Sequence, residues 1–327
     1  MDPLTLDELD RESEAFDALV VQTQDIDAFC SSSDWIVPAA RALMPRREPF
    51  LRRAPGGYIA LMRGQHPSGF SFLEPLEAMW GLACPLVGPD PVAIVESLAI
   101  AALTDAPGEV LVLCGVVSGA PLFDALIQVL GPSYELRRGP TTKRFVADLS
   151  GGLDGFLGRR SANLRGSLKQ ARRRAAEAGI AFVAHAPSGE EETRALYARI
   201  IEVEARSWKG MAGTGIIDGQ MRGFYAHMVK RLLRKGALRV MFARHDDRDV
   251  AYVLGAVLEG TYRGLQASYD DGYERFSLGS LMHYHQIAEL CAEGIAAYDL
   301  GSEVDYKRRW GEEGLATITV IGVPMTV

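Results

Sequence analysis

The stretch that decides the fold is Asp299-Leu-Gly-Ser-Glu-Val-Asp-Tyr-Lys-Arg-Arg-Trp-Gly311, close to the end of the chain. It overlaps the end of an apolar run that predicts a strand at 295–300, and its segment 305–310 then combines an acid with three consecutive cations and two aromatics. Aromatic side chains argue against a fully solvated segment. The stretch therefore predicts a candidate site, although a solvated turn held by surface ion pairs remains the alternative.

The pattern of apolar residues before and after this stretch predicts a regular order of elements. Short polar turns separate three apolar runs that predict an antiparallel meander. In chain order the predicted elements of this half are helices at 190–208 and 224–233, strands at 238–244, 250–258 and 262–269, a helix at 279–293, and strands at 295–300 and 316–323.

The first half also alternates strands and helices, which is typical of an α/β layer. The predicted elements are strands at 58–62 and 110–114 and helices at 91–103 and 121–130. Residues 1–34 are acidic and weakly patterned. The two halves show no close sequence repeat.

Composition and charge limit the class of protein. The 327 residues are 48% hydrophobic and 24% charged, which suits a globular protein of two domains. We expect no membrane span and no secretory signal, because the chain has no long apolar run and begins with acidic residues. The four cysteines are scattered and form no CxxC pair, so we expect reduced thiols and a cytoplasmic protein.

The net charge of −7 is unevenly distributed along the chain. Residues 1–150 carry a net charge of −9, and the remaining residues carry +2. This imbalance argues against a nucleic-acid surface that covers the whole chain, but it leaves room for a local anion site in the second half.

Four segments together resemble the BioF2-like or CelD-type acetyltransferases of the GNAT superfamily, which are related to Fem-type aminoacyltransferases. They are Tyr269–Met282, Tyr298–Gly311, Glu204–Gly210 and the arginine-rich helix at 159–174. The resemblance covers roughly residues 155–315. It implies an α/β fold of tandem GNAT-like halves, with mixed, mainly antiparallel sheets flanked by helices. Residues 1–150 would form an acceptor-side half, and residues 151–327 an acyl-donor-binding domain.

The resemblance implies that acyl-coenzyme A is the donor and that one strand and one helix start hold it. A strand of this kind splays from its neighbour and pairs with the pantetheine amides. The free N–H groups and the dipole of a helix start suit a pyrophosphate, although a plain helix capped by a serine is the alternative. The implied donor-binding residues are Gln266, Ala267, Ser268, Phe276, Ser277, Leu278, Gly279 and Ser280. The chain departs from the group's Ser-Pro-Gly at 277–279, and the spacing from Arg275 to Gly279 is one residue longer than the usual phosphate loop.

Glu204 is a candidate general base because it lies on the apolar face of the predicted helix 190–208. A carboxylate there is costly unless it is paired or takes part in chemistry. Alternatively, the helix ends at Glu204, which then points into water or pairs with Lys209. Trp208, Lys209 and Tyr269 are candidate substrate contacts, and the glycines at 210–215 suggest a lid or a plain connector.

The segment 305–307 supplies three further catalytic candidates. Asp305 is a second candidate base, or it orients Lys307. Tyr306 is a candidate acid for a leaving thiolate, since the pKa of a phenol is near that of a thiol. The cation of Lys307 would stabilise an oxyanion or hold a phosphate.

Three hypotheses about function follow. The first is acyl transfer from acyl-coenzyme A to an amine or hydroxyl of a small molecule or saccharide. The second is transfer from an aminoacyl-tRNA, in which case the basic helix would bind RNA and not simply form a solvated face. The third is a non-catalytic binding or scaffold protein of GNAT fold. No metal site is expected, because His283 and His285 lie two residues apart on a predicted helix, without a carboxylate cluster.

Overall fold

The structure is a computed structural model that describes residues 1–325. Its residues divide into two compact units. The first unit comprises Met1–Lys143 together with the C-terminal segment that starts at Leu315, and the second comprises Arg144–Gly314.

The first unit contains most of the elements up to residue 148. They are β1 (Asp2–Leu4), α1 (Leu6–Arg11), α2 (Ser13–Gln22), α3 (Ala28–Ser31), α4 (Ser33–Leu43), β2 (Glu48–Ala54), β3 (Gly57–Gln65), β4 (Ser71–Pro75), β5 (Leu86–Val87), α5 (Pro91–Asp105), β6 (Val110–Val116), α6 (Pro121–Leu130) and the first part of β7 (Tyr134–Asp148). Asp90 caps α5 by accepting hydrogen bonds from the backbone N–H groups of Val92 and Ala93, and Pro91 occupies the first turn.

The second unit follows with a second set of elements. They are α7 (Gly152–Gly158), α8 (Ala162–Glu177), β8 (Ala181–His185), α9 (Glu190–Ala205), α10 (Trp208–Met211), α11 (Gly219–Arg234), β9 (Leu238–His245), β10 (Arg248–Leu258), β11 (Thr261–Tyr269), a 3₁₀ helix (Asp271–Phe276), α12 (Leu278–Ala292), β12 (Ala297–Ser302) and a second 3₁₀ helix (Asp305–Arg309). The last strand, β13 (Glu312–Pro324), begins in this unit and continues in the first.

Each unit has the same topology, so the halves are a structural duplication without a visible sequence repeat. In the first unit β1, β2, β3 and β4 pair antiparallel in that order, and β6 then pairs parallel to β4 after the crossover helix α5. In the second unit β8, β9, β10 and β11 pair antiparallel, and β12 pairs parallel to β11 after α12. The predicted fold of tandem halves with mixed, mainly antiparallel sheets is confirmed.

The last strand of each sheet explains where the units divide. β13 pairs antiparallel with β6 and so belongs mainly to the first unit, while the end of β7 pairs antiparallel with β12 in the second. The two compact units divide at 143/144, seven residues before the expected boundary at 150/151, and the residues from Leu315 onward belong with the first unit. Strand pairing rather than chain order decides which unit a terminal strand completes.

Helix α9 differs from its prediction at its C-terminal end. The predicted helix 190–208 stops at Ala205, and Ser207 starts the short helix α10 by accepting a hydrogen bond from the backbone N–H of Gly210. The basic helix α8 is capped at its start by the Ser161 hydroxyl, which accepts a hydrogen bond from the backbone N–H of Leu164. The apolar face of α8 is buried and includes Leu164, Leu168 and Ala171.

Candidate active site

Strand β11 separates from β12 after only three paired residues. The paired residues of β11 are Thr261, Tyr262 and Arg263, which lie opposite Ala297, Tyr298 and Asp299 of β12. Residues 264–269 of β11 do not pair with β12. Opposite β10 the register also shifts, because Leu254 pairs with Gln266 whereas Gly255 pairs with Gly264. Leu265 is therefore the extra residue of a β-bulge, a device that disrupts the ladder locally and often lies near active sites. The predicted splay of this strand is confirmed.

Side chains cover part of the edge that this separation exposes. The carbonyls of Leu265 and Ala267 lie two residues apart, so they point to the same side of the strand. Leu265 accepts a hydrogen bond from the Tyr225 hydroxyl at 3.3 Å, and Ala267 accepts one from Lys209 Nζ at 2.8 Å. A ligand that pairs with this edge would have to displace the lysine.

Glu204 is fully buried on α9, as the helical pattern predicts. Its Oε2 accepts a hydrogen bond from the Tyr252 hydroxyl at 2.9 Å, and its Oε1 lies 3.6 Å from Lys209 Nζ. Burial raises the pKa of Tyr252 well above its usual range, so this phenol stays protonated and acts as a donor. A Cβ on Gly215 would lie 2.7 Å from Oε1, so the glycine leaves space for the carboxylate.

Lys209 joins Glu204 to strand β11. Its Nζ donates to Gln266 Oε1 and to the carbonyl of Ala267, both at 2.8 Å. Burial lowers the pKa of Lys209, and the Glu204 carboxylate opposes that effect. Glu204 is therefore buried on the helix face, as the first alternative expects, and it also pairs with Lys209, as the second expects.

The hydroxyl of Ser268 is a second buried polar group at this place. Ser268 lies opposite Tyr252 in the strand register, so both side chains point to the face that α9 covers. Within residues 1–325, neither Ser268 Oγ nor Glu204 Oε1 has a hydrogen-bond partner. Unsatisfied buried polar atoms are costly and are usually met by water or by a ligand. This face of β11 is therefore suited to a polar ligand.

The start of α12 lies beside the end of β11. Ser277 has a left-handed backbone (φ 57°) and makes no side-chain capping bond, so the alternative of a helix capped by the serine hydroxyl is not observed. Its carbonyl accepts hydrogen bonds from the backbone N–H groups of Ser280 and Leu281. Phe276 and Leu278 are buried and anchor the turn. A Cβ on Gly279 would meet only the ring of Tyr269, at 3.6 Å.

The segment 305–309 forms a second group around His283. The ring centroids of Tyr306 and His283 are 6.0 Å apart, and the Tyr306 side chain is 48% exposed. Lys307 Nζ donates to the carbonyl of Ser302 at 2.8 Å. Burial and the charge of Arg263 lower the pKa of Lys307 to about 8, against the opposing effect of Asp299. Asp305 is exposed at the start of this 3₁₀ helix.

Contacts thus join some of the predicted site residues into two groups. One joins Glu204, Lys209, Gln266 and Ala267 by direct contacts, and the other joins Tyr306 and Lys307 to the His283 region. Trp208 is 57% exposed on α10 and is available to a substrate or partner. Two tyrosines at this place, Tyr252 and Tyr225, were not predicted from the sequence. A tyrosine in an otherwise aliphatic strand was the available signal for Tyr252, because a buried phenol needs a hydrogen-bond partner.

Among residues 1–325, no group of three His, Cys, Asp or Glu side chains is arranged to hold a metal ion. In the same residues, no helix has both the length and the apolar character needed to cross a membrane.

Comparison with known proteins identifies the domain that carries this site. Residues 162–308 match the family model described as acetyltransferase (GNAT) domain. The chain carries a GNAT domain. No functionally curated protein matches the sequence at a significant level.

Solved structures extend the likeness of the fold beyond the GNAT domain. A conserved protein of unknown function from Bacteroides thetaiotaomicron VPI-5482 is 11% identical, with a TM-score of 0.65 over 98% of each chain. FemX is also 11% identical, with a TM-score of 0.61 over 98% of this chain and 97% of its own. The C-terminal domain of a putative lysylphosphatidylglycerol synthetase from Agrobacterium fabrum is 14% identical, with a TM-score of 0.56 over 96% and 93%. These similarities establish a Fem-like fold.

Proposed function

We propose that the protein transfers an acyl group, most simply acetyl, from acyl-coenzyme A to an amine or hydroxyl of a small molecule or saccharide. The observation that carries the proposal is the separation of β11 from β12 beside the buried pair Glu204–Lys209. The separation offers a strand edge to an extended donor, and the pair offers a carboxylate to an acceptor.

The donor would lie along residues 266–268 and reach the start of α12. Its amides would pair with the edge of β11 after Lys209 moves off the Ala267 carbonyl. Its pyrophosphate would meet the backbone around 276–280, where Gly279 leaves room for a close approach. The buried hydroxyl of Ser268 supplies a further polar contact on the same strand.

The chemistry would be direct transfer. The acceptor nitrogen or oxygen attacks the thioester carbonyl, a new C–N or C–O bond forms, and the C–S bond breaks. Glu204 takes the proton of the acceptor, with Asp305 as the alternative base. Tyr306 gives a proton to the departing thiolate, and the cation of Lys307 stabilises the charge that develops on the carbonyl oxygen.

Access to Glu204 requires movement of one segment. The carboxylate is fully buried, and Gly215 packs directly against it. We expect the residues around Gly215 to shift when an acceptor reaches Glu204. Trp208 and Tyr269 are the proposed contacts with the incoming substrate. The four cysteines are free thiols, which suits the proposed cytoplasmic location.

Transfer from an aminoacyl-tRNA is the second candidate, and two observations favour it. The fold is shared with FemX and with the domain from a putative lysylphosphatidylglycerol synthetase. Helix α8 also exposes Arg165, Lys169, Arg172 and Arg173 to solvent, where they are available to RNA phosphates.

Ligand-induced thermal stabilisation separates these candidates. A ligand that binds the folded state raises the melting temperature, so acetyl-coenzyme A should stabilise the protein if the first proposal holds. Stabilisation by charged tRNA alone would overturn it in favour of the second candidate. Stabilisation by neither ligand would favour a scaffold protein that has lost its donor site.

A further inference from the structure

A groove of about 410 Å³ lies on the second unit, and none of its lining residues is among those assigned to transfer from acyl-coenzyme A. Helix α8 forms one wall, and the other lining residues come from the start of β8 and from α12. The lining residues are Lys169, Arg172, Arg173, Ala176, Ile180, Phe182 and His285. The groove therefore combines three cations with an aromatic and aliphatic floor.

The three cations stand on one face of α8. Lys169, Arg172 and Arg173 are spaced i, i+3 and i+4, so their side chains are neighbours on the helix surface. Arg173 lies 3.5 Å from Glu177, and both side chains are exposed. The Arg172 guanidinium lies over the ring of Tyr284 at 4.6 Å, which fixes it beside the groove. Within residues 1–325, Lys169 makes no ion pair, so its charge is available to a ligand.

The floor of the groove is a stacked pair of rings. Phe182 and His285 lie with their centroids 3.9 Å apart and their planes within 15° of parallel. Burial and the charge of Arg172 lower the pKa of His285 to about 4, so the imidazole is neutral at pH 7. A neutral, planar and half-buried pair of this kind is a surface on which another flat ring can stack.

We propose that this groove binds a phosphorylated nucleoside, with the phosphate held by Lys169, Arg172 and Arg173 and the base packed against Phe182 and His285. Cations alone would suit any anion, and aromatic rings alone would suit any apolar ring. Their combination within one groove matches a ligand that carries both a phosphate and a flat ring. The proposal rests on the groove alone and does not depend on the proposed acyl transfer.

Binding of three probes tests the proposal. Isothermal titration calorimetry with adenosine monophosphate, adenosine and inorganic phosphate should show that the nucleotide binds at least about tenfold more tightly than either part, because both contacts contribute. Equal affinity for phosphate and nucleotide would reduce the groove to a simple anion site and overturn the proposal. Absence of nucleotide binding would overturn it as well.

Two variants assign the contacts to the groove. Lys169→Glu should weaken nucleotide binding by about tenfold or more, whereas Lys230→Glu makes the same charge change on the exposed face of α11 and should not. Phe182→Leu should weaken binding of the nucleotide but leave the affinity for phosphate unchanged. An unchanged nucleotide affinity in both groove variants would exclude this groove. A melting curve for each variant checks that it folds.

A uridylate decamer distinguishes the two sources of such a ligand. If the natural ligand is an RNA strand, the decamer should displace adenosine monophosphate, and its binding should weaken more steeply with salt because several phosphates are contacted. If the ligand is a free nucleotide, the decamer should bind no more tightly than the mononucleotide. Either result supports a nucleotide site, provided that Lys169→Glu weakens the binding.

Discussion

At the scale of single residues, Glu204 is the side chain whose replacement tests the proposed chemistry most directly. Glu204→Gln keeps the volume of the side chain and leaves an amide oxygen for the Tyr252 hydroxyl. We expect the fold to persist and the rate of acyl transfer to fall by at least about tenfold, since a general base contributes that much or more. The measurement is kcat/KM with acetyl-coenzyme A as donor.

A matched control for this variant lies on the same helix. Glu202 is exposed on the opposite side of α9, so Glu202→Gln removes the same charge without touching the buried network. The control should keep its full rate. If Glu204→Gln folds and also keeps its full rate, Glu204 is not the base, and Asp305 becomes the candidate to replace.

Lys307 predicts a specific dependence on pH. Because its pKa is lowered to about 8, the ammonium is charged below that pH and neutral above it. If its charge supports the reaction, the rate should fall as the pH rises through about 8. The arginine in Lys307→Arg stays charged to much higher pH, so the rate of this variant should not fall as the pH rises through about 8. If the rate of both proteins falls in the same way, another titrating group is responsible for the fall.

The same shift has a consequence for stability, and its sign can be worked out. The pKa of Lys307 is about 8 in the folded state and near 10.5 in the unfolded chain. Between these values the unfolded state binds more protons, so the contribution of this residue to the free energy of unfolding rises with pH. Denaturant titrations at pH 7 and pH 10 should show a larger increase in the free energy of unfolding for the natural protein than for Lys307→Arg. An equal increase in both proteins would contradict the lowered pKa of Lys307.

The sequence predicts buried residues better than their partners. Helical periodicity places Glu204 on an apolar face, and the structure buries it completely. Its hydrogen bond with Tyr252 joins residues 48 positions apart, and no local pattern encodes such a contact. The same limit applies to Tyr225, whose hydroxyl bonds to Leu265 across 40 positions.

At the scale of elements, the start of α12 tests the proposed phosphate site. In Gly279→Ala the new Cβ would meet only the Tyr269 ring at an ordinary distance, so stability should be unchanged or slightly higher. A closely bound pyrophosphate would be obstructed, and we expect the Kd for acetyl-coenzyme A to rise by about tenfold. Calorimetric titration measures the affinity, and a melting curve measures the stability.

A second helical glycine provides the control for that substitution. Gly166 lies within α8, and a Cβ there would meet nothing within 4 Å. Gly166→Ala should therefore leave the affinity for acetyl-coenzyme A unchanged. Equal affinity in Gly279→Ala and the natural protein would show that no phosphate approaches this helix start.

The elements that the sequence predicts are those with a strong local pattern. The meander β9–β11 and the helices α5, α6 and α12 are confirmed to within a few residues. The strand β7 is missed because it carries Arg137, Arg138 and Pro140, which do not favour a strand. Strand β7 is nevertheless extended, because neighbouring strands such as β12 pair with it. The first helices are missed because their acidic residues obscure the few apolar positions, such as Leu9 and Phe16.

At the scale of the whole molecule, the two units make a prediction about the C-terminal strand. Ile318 and Val320 of β13 are buried and pair with Val116 and Leu113 of β6. A chain that ends at Gly314 would leave β6 with an unpaired edge and would expose part of the first unit's core. Hydrogen exchange at residues 110–116 should then be faster, while exchange in β9 and β10 should stay slow, because strands lose protection where their pairing is lost.

The point variant Ile318→Asp tests the same strand without shortening the chain. An unpaired carboxylate at this buried position should destabilise the first unit and accelerate exchange in β6. Slow exchange at 110–116 in both the shortened chain and the variant would contradict the assignment of the strand to the first unit. Faster exchange in β9 and β10 instead would show that the strand supports the GNAT domain, as chain order alone predicts.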